Sequence, residues 1–146
     1  MTTWPTQPDN RTCGPSVVVV LEGLPGPWPD FDQRVFAMHR SLNRWWPRAL
    51  GTTPWAVARR VGGRVRRFRR DEVLAALPTP VPVYLGSRWL PRHVVLVLED
   101  GDDGLRVYNP ARGAVVPIQD SRWTKAWWAI VPSPAPSPSA RRTPPG

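Results

Sequence analysis

The spacing of apolar residues changes period near the middle of this chain, and that change limits the folds open to it. In the first half, Phe31, Val35, Met38 and Leu42 recur at three- and four-residue intervals, the stripe of a half-buried helix. From Val81 onward the apolar residues come instead in short runs separated by Gly, Asp and Pro: Val81–Leu85, His93–Glu99, Leu105–Asn109 and Ala114–Ile118. Such runs bounded by turn signals read as strands. Helices first and an antiparallel sheet after them is an α+β architecture.

Within that frame the punctuation is specific. A helix starts at or just after Cys13, where Pro15 suits a first turn because its missing N–H has no intrahelical partner there. Gly23-Leu24-Pro25-Gly26-Pro27 stops it. Asp30 or Asp32 caps the next helix, from about Phe31 to Asn43, and Trp45-Trp46-Pro47 ends it. Thr52-Thr53-Pro54 opens a short helix through about Val61, closed by Gly62-Gly63, and Val65–Phe68 is an edge strand. Asp71 caps a short helix carrying Val73, Leu74 and Leu77. Pro82 marks its strand as a start or an edge. His93–Glu99 is apolar on both faces and belongs at the centre of the sheet. Trp127–Val131 suits a last strand, and from Pro132 the chain reads as a disordered, proline-rich tail after a single domain of residues 1–131.

Cys13 is the sole cysteine of the 146 residues. It stands where a polar, turn-rich segment meets Val17-Val18-Val19-Val20. A thiol at a helix N-terminus faces unpaired N–H groups and the positive end of the macrodipole, which favour the thiolate nucleophile. Gln7 stands six positions earlier, where its amide can donate to an oxyanion beside the cysteine's own N–H. With three glutamines in the chain, chance puts one at that spacing about once in fifty.

A cysteine nucleophile needs a base, and the base needs a group to hold its tautomer. His93 opens one strand and Asn109 closes the next. With Glu99 near Leu105 across the intervening turn, His93 lies opposite about Ala111, or Asn109 after a shift of two residues. Cross-strand or diagonal neighbours of this kind lie within about 5–8 Å. A slip of a single residue would turn Asn109 to the other face. His39, the other histidine, reads as a partly exposed helix residue outside the site.

The order Gln7, Cys13, His93, Asn109, with the cysteine at a helix start and the last two on one hairpin, resembles the papain-like cysteine peptidase superfamily. Gln7–Leu21, Val81–Glu99 and Leu105–Gly113 are most similar to the bacteriocin-processing (double-glycine leader) peptidases and their stand-alone relatives. The resemblance implies Cys13 as nucleophile, His93 as base and then acid, Asn109 as orienter and Gln7 as oxyanion donor. It implies no cofactor or metal, and a peptide or protein substrate cleaved through a thioester. Those relatives more often carry Asp-Pro where this chain has Asn109-Pro110, and the valine-rich helix has low intrinsic propensity. With six residues ahead of Gln7 there is no room for an inhibitory segment, so the expectation is an enzyme active as made or restrained by a separate partner.

Two other functions compete. The same thioester chemistry serves glutamine deamidation or transamidation in effector and toxin domains. Separately, the net charge of +9 attracts nucleic acid or acidic partners. Arg59, Arg60, Arg64, Arg66, Arg67, Arg69 and Arg70 crowd one stretch beside Phe68 and Trp55 and could track phosphates. A solvated edge is the plainer account of that run. Trp89, Trp123, Trp127 and Trp128 are candidates to line a cleft. No stretch is long and apolar enough for a membrane span, and Met1–Pro5 lacks the features of a secretory signal. A bacterial, cytoplasmic protein is the expectation, with signal-independent secretion also open.

Overall fold

The computed structural model describes residues 3–9, 12–43, 53–86, 91–118 and 126–132. Among these, four helices, α1 (Cys13–Glu22), α2 (Phe31–Leu42), α3 (Pro54–Val61) and α4 (Arg70–Ala76), accompany six strands. The strands are β1 (Gly63–Arg67), β2 (Val81–Gly86), β3 (Pro91–Gly101), β4 (Gly104–Asn109), β5 (Ala114–Ile118) and β6 (Ala126–Pro132). They form one antiparallel sheet in the order β1-β6-β2-β3-β4-β5. This is the α+β arrangement that the change of period indicates.

The sheet carries a core on each face. Val94, Leu96, Tyr84, Tyr108 and Ile130 pack with α1, α2 and α3. Val95, Val97, Val83, Leu105 and Val107 pack on the other face, where Val73 of α4 covers part of the sheet. Helix α1 lies at the heart of the first core, with Val17, Val18, Val19 and Val20 all buried. A β-branched residue loses at most about 0.7 kcal/mol of helix propensity, whereas burying a valine side chain gains about 1.5–3 kcal/mol. Packing therefore overrides propensity in this helix.

Some local expectations hold and others meet corrections. Thr53 caps α3 through its hydroxyl, which accepts from Ala56 N–H at 3.2 Å, and Gly62 ends that helix in the left-handed region at φ 74°. Asp30 precedes α2 in a left-handed conformation with no side-chain cap, and Asp71 lies in the first turn of α4 rather than capping it. There its charge meets the helix dipole. Pro82 lies in an interior strand, yet at its start: β6 pairs with β2 only from Val83. His39 is buried on α2, not partly exposed, because α2 packs its third turn against the core. Pro132 is the last residue of β6, opposite Gly63. The rest of the proline-rich stretch, Trp45, Trp46, Trp89 and Trp123, and the Trp127 side chain lie outside the described residues.

Candidate active site

The site is built where the start of α1, the start of β3 and the end of β4 converge. Cys13 is the first residue of α1. The helix begins there because Ser16 N–H bonds Thr12 C=O at 2.9 Å while Pro15 fills the first turn without a donor to satisfy. Thr12 turns its hydroxyl back to Asp9 C=O at 3.3 Å and leaves the helix N-terminus uncapped by a side chain. The sulfur instead meets the backbone N–H groups of Val94, Gly14 and Cys13 itself. Val94 follows His93 directly, so the thiol reaches β3 one residue from the imidazole.

His93 and Asn109 are in direct contact: imidazole Nε2 lies 2.9 Å from Asn109 Oδ1. The same oxygen accepts from Ala111 N–H at 3.0 Å. An NH2 group could not accept from that amide, so the contact atom is the carbonyl oxygen and Nε2 carries the hydrogen. That leaves Nδ1 as the basic nitrogen of the neutral ring.

A β-bulge produces this pairing. Near the turn, Gly101 pairs Gly104 and Glu99 pairs Arg106; beyond Leu98 the register changes, and Val97 pairs Val107 and Leu96 pairs Tyr108. Continued, the second register sets Asn109 opposite Val95, with His93 on the same face one pair further along. Under the first register Asn109 would fall on the other face, since a one-residue slip reverses facing. The extra residue, Leu98, thus lets the imidazole and the amide meet.

Burial governs the protonation of both groups. It pushes the Cys13 thiol above its ordinary range, against the lowering effect of the three amides, and nearby Asp9 adds to the rise. Burial likewise pushes His93 below the ordinary imidazole value, opposed by the Asn109 hydrogen bond. Both effects favour a neutral thiol and a neutral ring, whereas the helix N-terminus by itself favours a thiolate. Desolvation outweighs the helix terminus in this setting. Tyr84 of β2 lies close enough for the Cys13 charge to act on it, and burial above all keeps its phenol protonated.

Gln7 is held beside Asn109 by the backbone: its N–H donates to Pro110 C=O at 2.8 Å. Its side-chain NH2 donates to Asp9 C=O, and its Oε1 is buried with no hydrogen-bond partner among the described residues. The segment carrying it is strapped down by aromatic residues that sequence reasoning did not single out. Tyr108 O–H donates to Pro5 C=O at 2.6 Å, and Trp4 lies between Tyr108 and Trp28 with ring centroids 5.5 and 5.1 Å away. Trp28 Nε1–H donates to Val20 C=O at 3.1 Å, closing the chain of contacts onto α1. The only sequence signal was an aromatic residue next to Asn109.

A concavity of about 330 Å³ opens over His93 and Asn109, walled by Leu85, Val95, Val116 and Ile118, with Arg112 exposed at its margin. Cys13 is not among the described residues lining it. Val94 and Leu96 face the α1 core, and Val95 and Val97 the opposite one, where Val95 borders the concavity. A second hollow of about 300 Å³, at the far end of α1 by Leu21, Val61 and Pro80, contains none of the four candidate residues.

The arginine-rich stretch does not form one surface. Arg60 pairs with Glu22 at 2.8 Å, Arg66 with Glu72 at 3.4 Å and Arg70 with Asp100 at 4.0 Å. Strand alternation sends Arg64 and Arg66 of β1 to the face opposite Val65 and Arg67. Trp128 is partly buried against the α1 core with its ring 5.8 Å from that of the exposed Trp55, away from the concavity. Among the described residues no group of His, Cys, Asp and Glu could hold a metal ion, and no helix is long and apolar enough to cross a membrane.

No protein-family model matches the sequence, and no curated protein matches it. Solved structures do match its fold. The peptidase domain of Streptococcus ComA, a bifunctional ABC transporter involved in quorum sensing, superposes with a TM-score of 0.62 at 21% identity, over 91% of this chain and all of that one (100%). The Streptococcus mutans ComA peptidase domain gives 0.54 at 22% identity, over 90% of this chain and 99% of that one. A double-glycine motif protease from an AMS/PCAT transporter, solved with its leader peptide, gives 0.59 at 15% identity, over 91% and 93%. The chain therefore has the α+β, papain-like fold of these peptidase domains.

Proposed function

We propose that the protein is a cysteine peptidase that cleaves a peptide bond through a thioester intermediate on Cys13. The observation that carries this reading is the His93–Asn109 hydrogen bond of 2.9 Å, one residue from the amide that meets the Cys13 thiol at the start of α1. Asn109 fixes the ring with Nε2–H toward its carbonyl. Nδ1 takes the thiol proton as sulfur attacks the substrate carbonyl, and returns it to the leaving amine. Water then attacks the thioester, with the same nitrogen as base, and releases the acid. The Cys13 N–H and the Gln7 amide, once turned from Asp9, donate to the oxyanion.

With both groups neutral at rest, the proton moves during attack rather than before it. The double-glycine motif protease solved with its leader peptide supports a peptide as substrate. Deamidation or transamidation uses the same thioester, and the products distinguish them.

The test is mass spectrometry of a synthetic leader-type peptide containing Gly-Gly and an internal glutamine, incubated with wild type and with Cys13→Ala. Scission by the wild type alone supports the reading. Glutamate in place of glutamine without scission would instead identify a deamidase. Scission that survives Cys13→Ala would remove the cysteine from the mechanism.

A further inference from the structure

We propose that Arg112 is a specificity-determining residue that selects a substrate carboxylate lying next to an apolar side chain. The inference rests on the peptidase reading and names what part of the substrate the concavity beside His93 accepts. Its walls are Leu85, Val95, Val116 and Ile118, and its only charged side chain among the described residues is Arg112. No carboxylate among the described residues lines it. A few convergent polar groups in an apolar hollow of this size are how peptide and small-molecule sites fix orientation.

The placement of Arg112 is tied to the site rather than left to a loose loop. Arg112 N–H and Gly113 N–H both donate to Asn109 C=O, at 3.1 and 2.9 Å, while Ala111 N–H donates to Asn109 Oδ1 at 3.0 Å. Gly113 takes φ 60°, and a Cβ there would run into Thr6, so the turn is also clamped by the N-terminal segment. The residue that orients His93 therefore also fixes the backbone carrying the guanidinium. An apolar side chain fills the hollow, and the guanidinium, a planar fork of donors, takes a carboxylate at the margin. That carboxylate comes from an acidic side chain or from the C-terminus of a peptide.

The experiment measures binding without turnover, using Cys13→Ala protein and fluorescein-labelled leucine- and alanine-rich octapeptides. One set scans Glu, Gln or Lys through each position; a parallel set has free or amidated C-termini. An exposed ion pair of this kind is worth up to about 1 kcal/mol, or about fivefold in affinity. The expected result is about fivefold tighter binding of one Glu peptide over its Gln counterpart, or of the free acid over the amide. That ratio should fall to one in Arg112→Gln, persist in part in Arg112→Lys, and invert toward the Lys peptide in Arg112→Glu. A ratio unchanged by Arg112→Gln, or no binding by any peptide, overturns the proposal. A charge preference that Arg112→Gln leaves unchanged, in a protein whose wild type still cleaves the leader-type peptide, sinks this inference alone. Absence of scission in the wild type with the charge preference present would sink the peptidase reading alone.

Discussion

Replacing Asn109 by Asp reverses the electrostatics of His93 while preserving its hydrogen-bond geometry. In the wild type the ring is pushed below its ordinary value by burial, with the Asn109 carbonyl opposing that effect from 2.9 Å. A carboxylate oxygen in the same place supplies a full negative charge. At an effective dielectric of about 20, charges about 3.5–4 Å apart attract by about 4–5 kcal/mol. Partial solvent exposure reduces this, and an opposite charge at such range moves a pKa by about one to three. The consequence for stability changes sign. In the wild type the unfolded chain binds the His93 proton more readily than the folded one, so stability falls as pH drops below about 6.5 toward the lower folded value. In Asn109→Asp the carboxylate raises the folded value; once that value exceeds the unfolded one, the histidine contributes fully below the unfolded value and its contribution disappears as pH rises through the folded one. A folded value displaced by one from the unfolded value changes stability by about 1.4 kcal/mol. The assay is an NMR titration of the two imidazoles with urea denaturation between about pH 5 and 8, a window in which Asp stays ionised. His39 is common to both proteins and cancels in the comparison. A His93 titration that stays put or falls in Asn109→Asp would refute the contact and the assignment of Asn109 as orienter.

Three further outcomes follow from the same structure. Iodoacetamide labelling of Cys13, the sole thiol, should rise only above the ordinary thiol range in the free protein, because burial raises its pKa. Fast labelling persisting to about pH 6 would instead mean a preformed thiolate. Ser16 is fully buried in α1 and its hydroxyl has no hydrogen-bond partner among the described residues, so Ser16→Ala should stabilise the fold by about 1 kcal/mol in urea denaturation. A loss of that size would show that the hydroxyl is satisfied after all. Tyr108→Phe removes the 2.6 Å bond to Pro5. It should cost about 1 kcal/mol and speed amide exchange at Gln7, whereas unchanged exchange would mean that the segment is held without that bond.

What could be read from the sequence was local. The start of α1 at Cys13, the capping of α3 by Thr53 and the hairpin strands all follow from residues within a turn or two of one another. Backbone preference and turn chemistry act at that range. The candidates Cys13, His93 and Asn109 were visible for the same reason, as residue types near element ends, and Gln7 by its spacing from Cys13.

Tertiary structure decided the rest. The irregularity at Leu98 that puts His93 and Asn109 on one face leaves no turn residue to announce it. The insertion of β6 between β1 and β2 depends on pairing between residues far apart in the chain, Gly63 with Pro132. Ion pairs and strand alternation divide an arginine run that looks continuous in the sequence. The protonation of Cys13 depends on how much of the molecule closes over it, so a helix start that favours a thiolate ends with a protonated thiol. Register and desolvation are sums over residues distant in sequence, and only the folded chain brings those residues together.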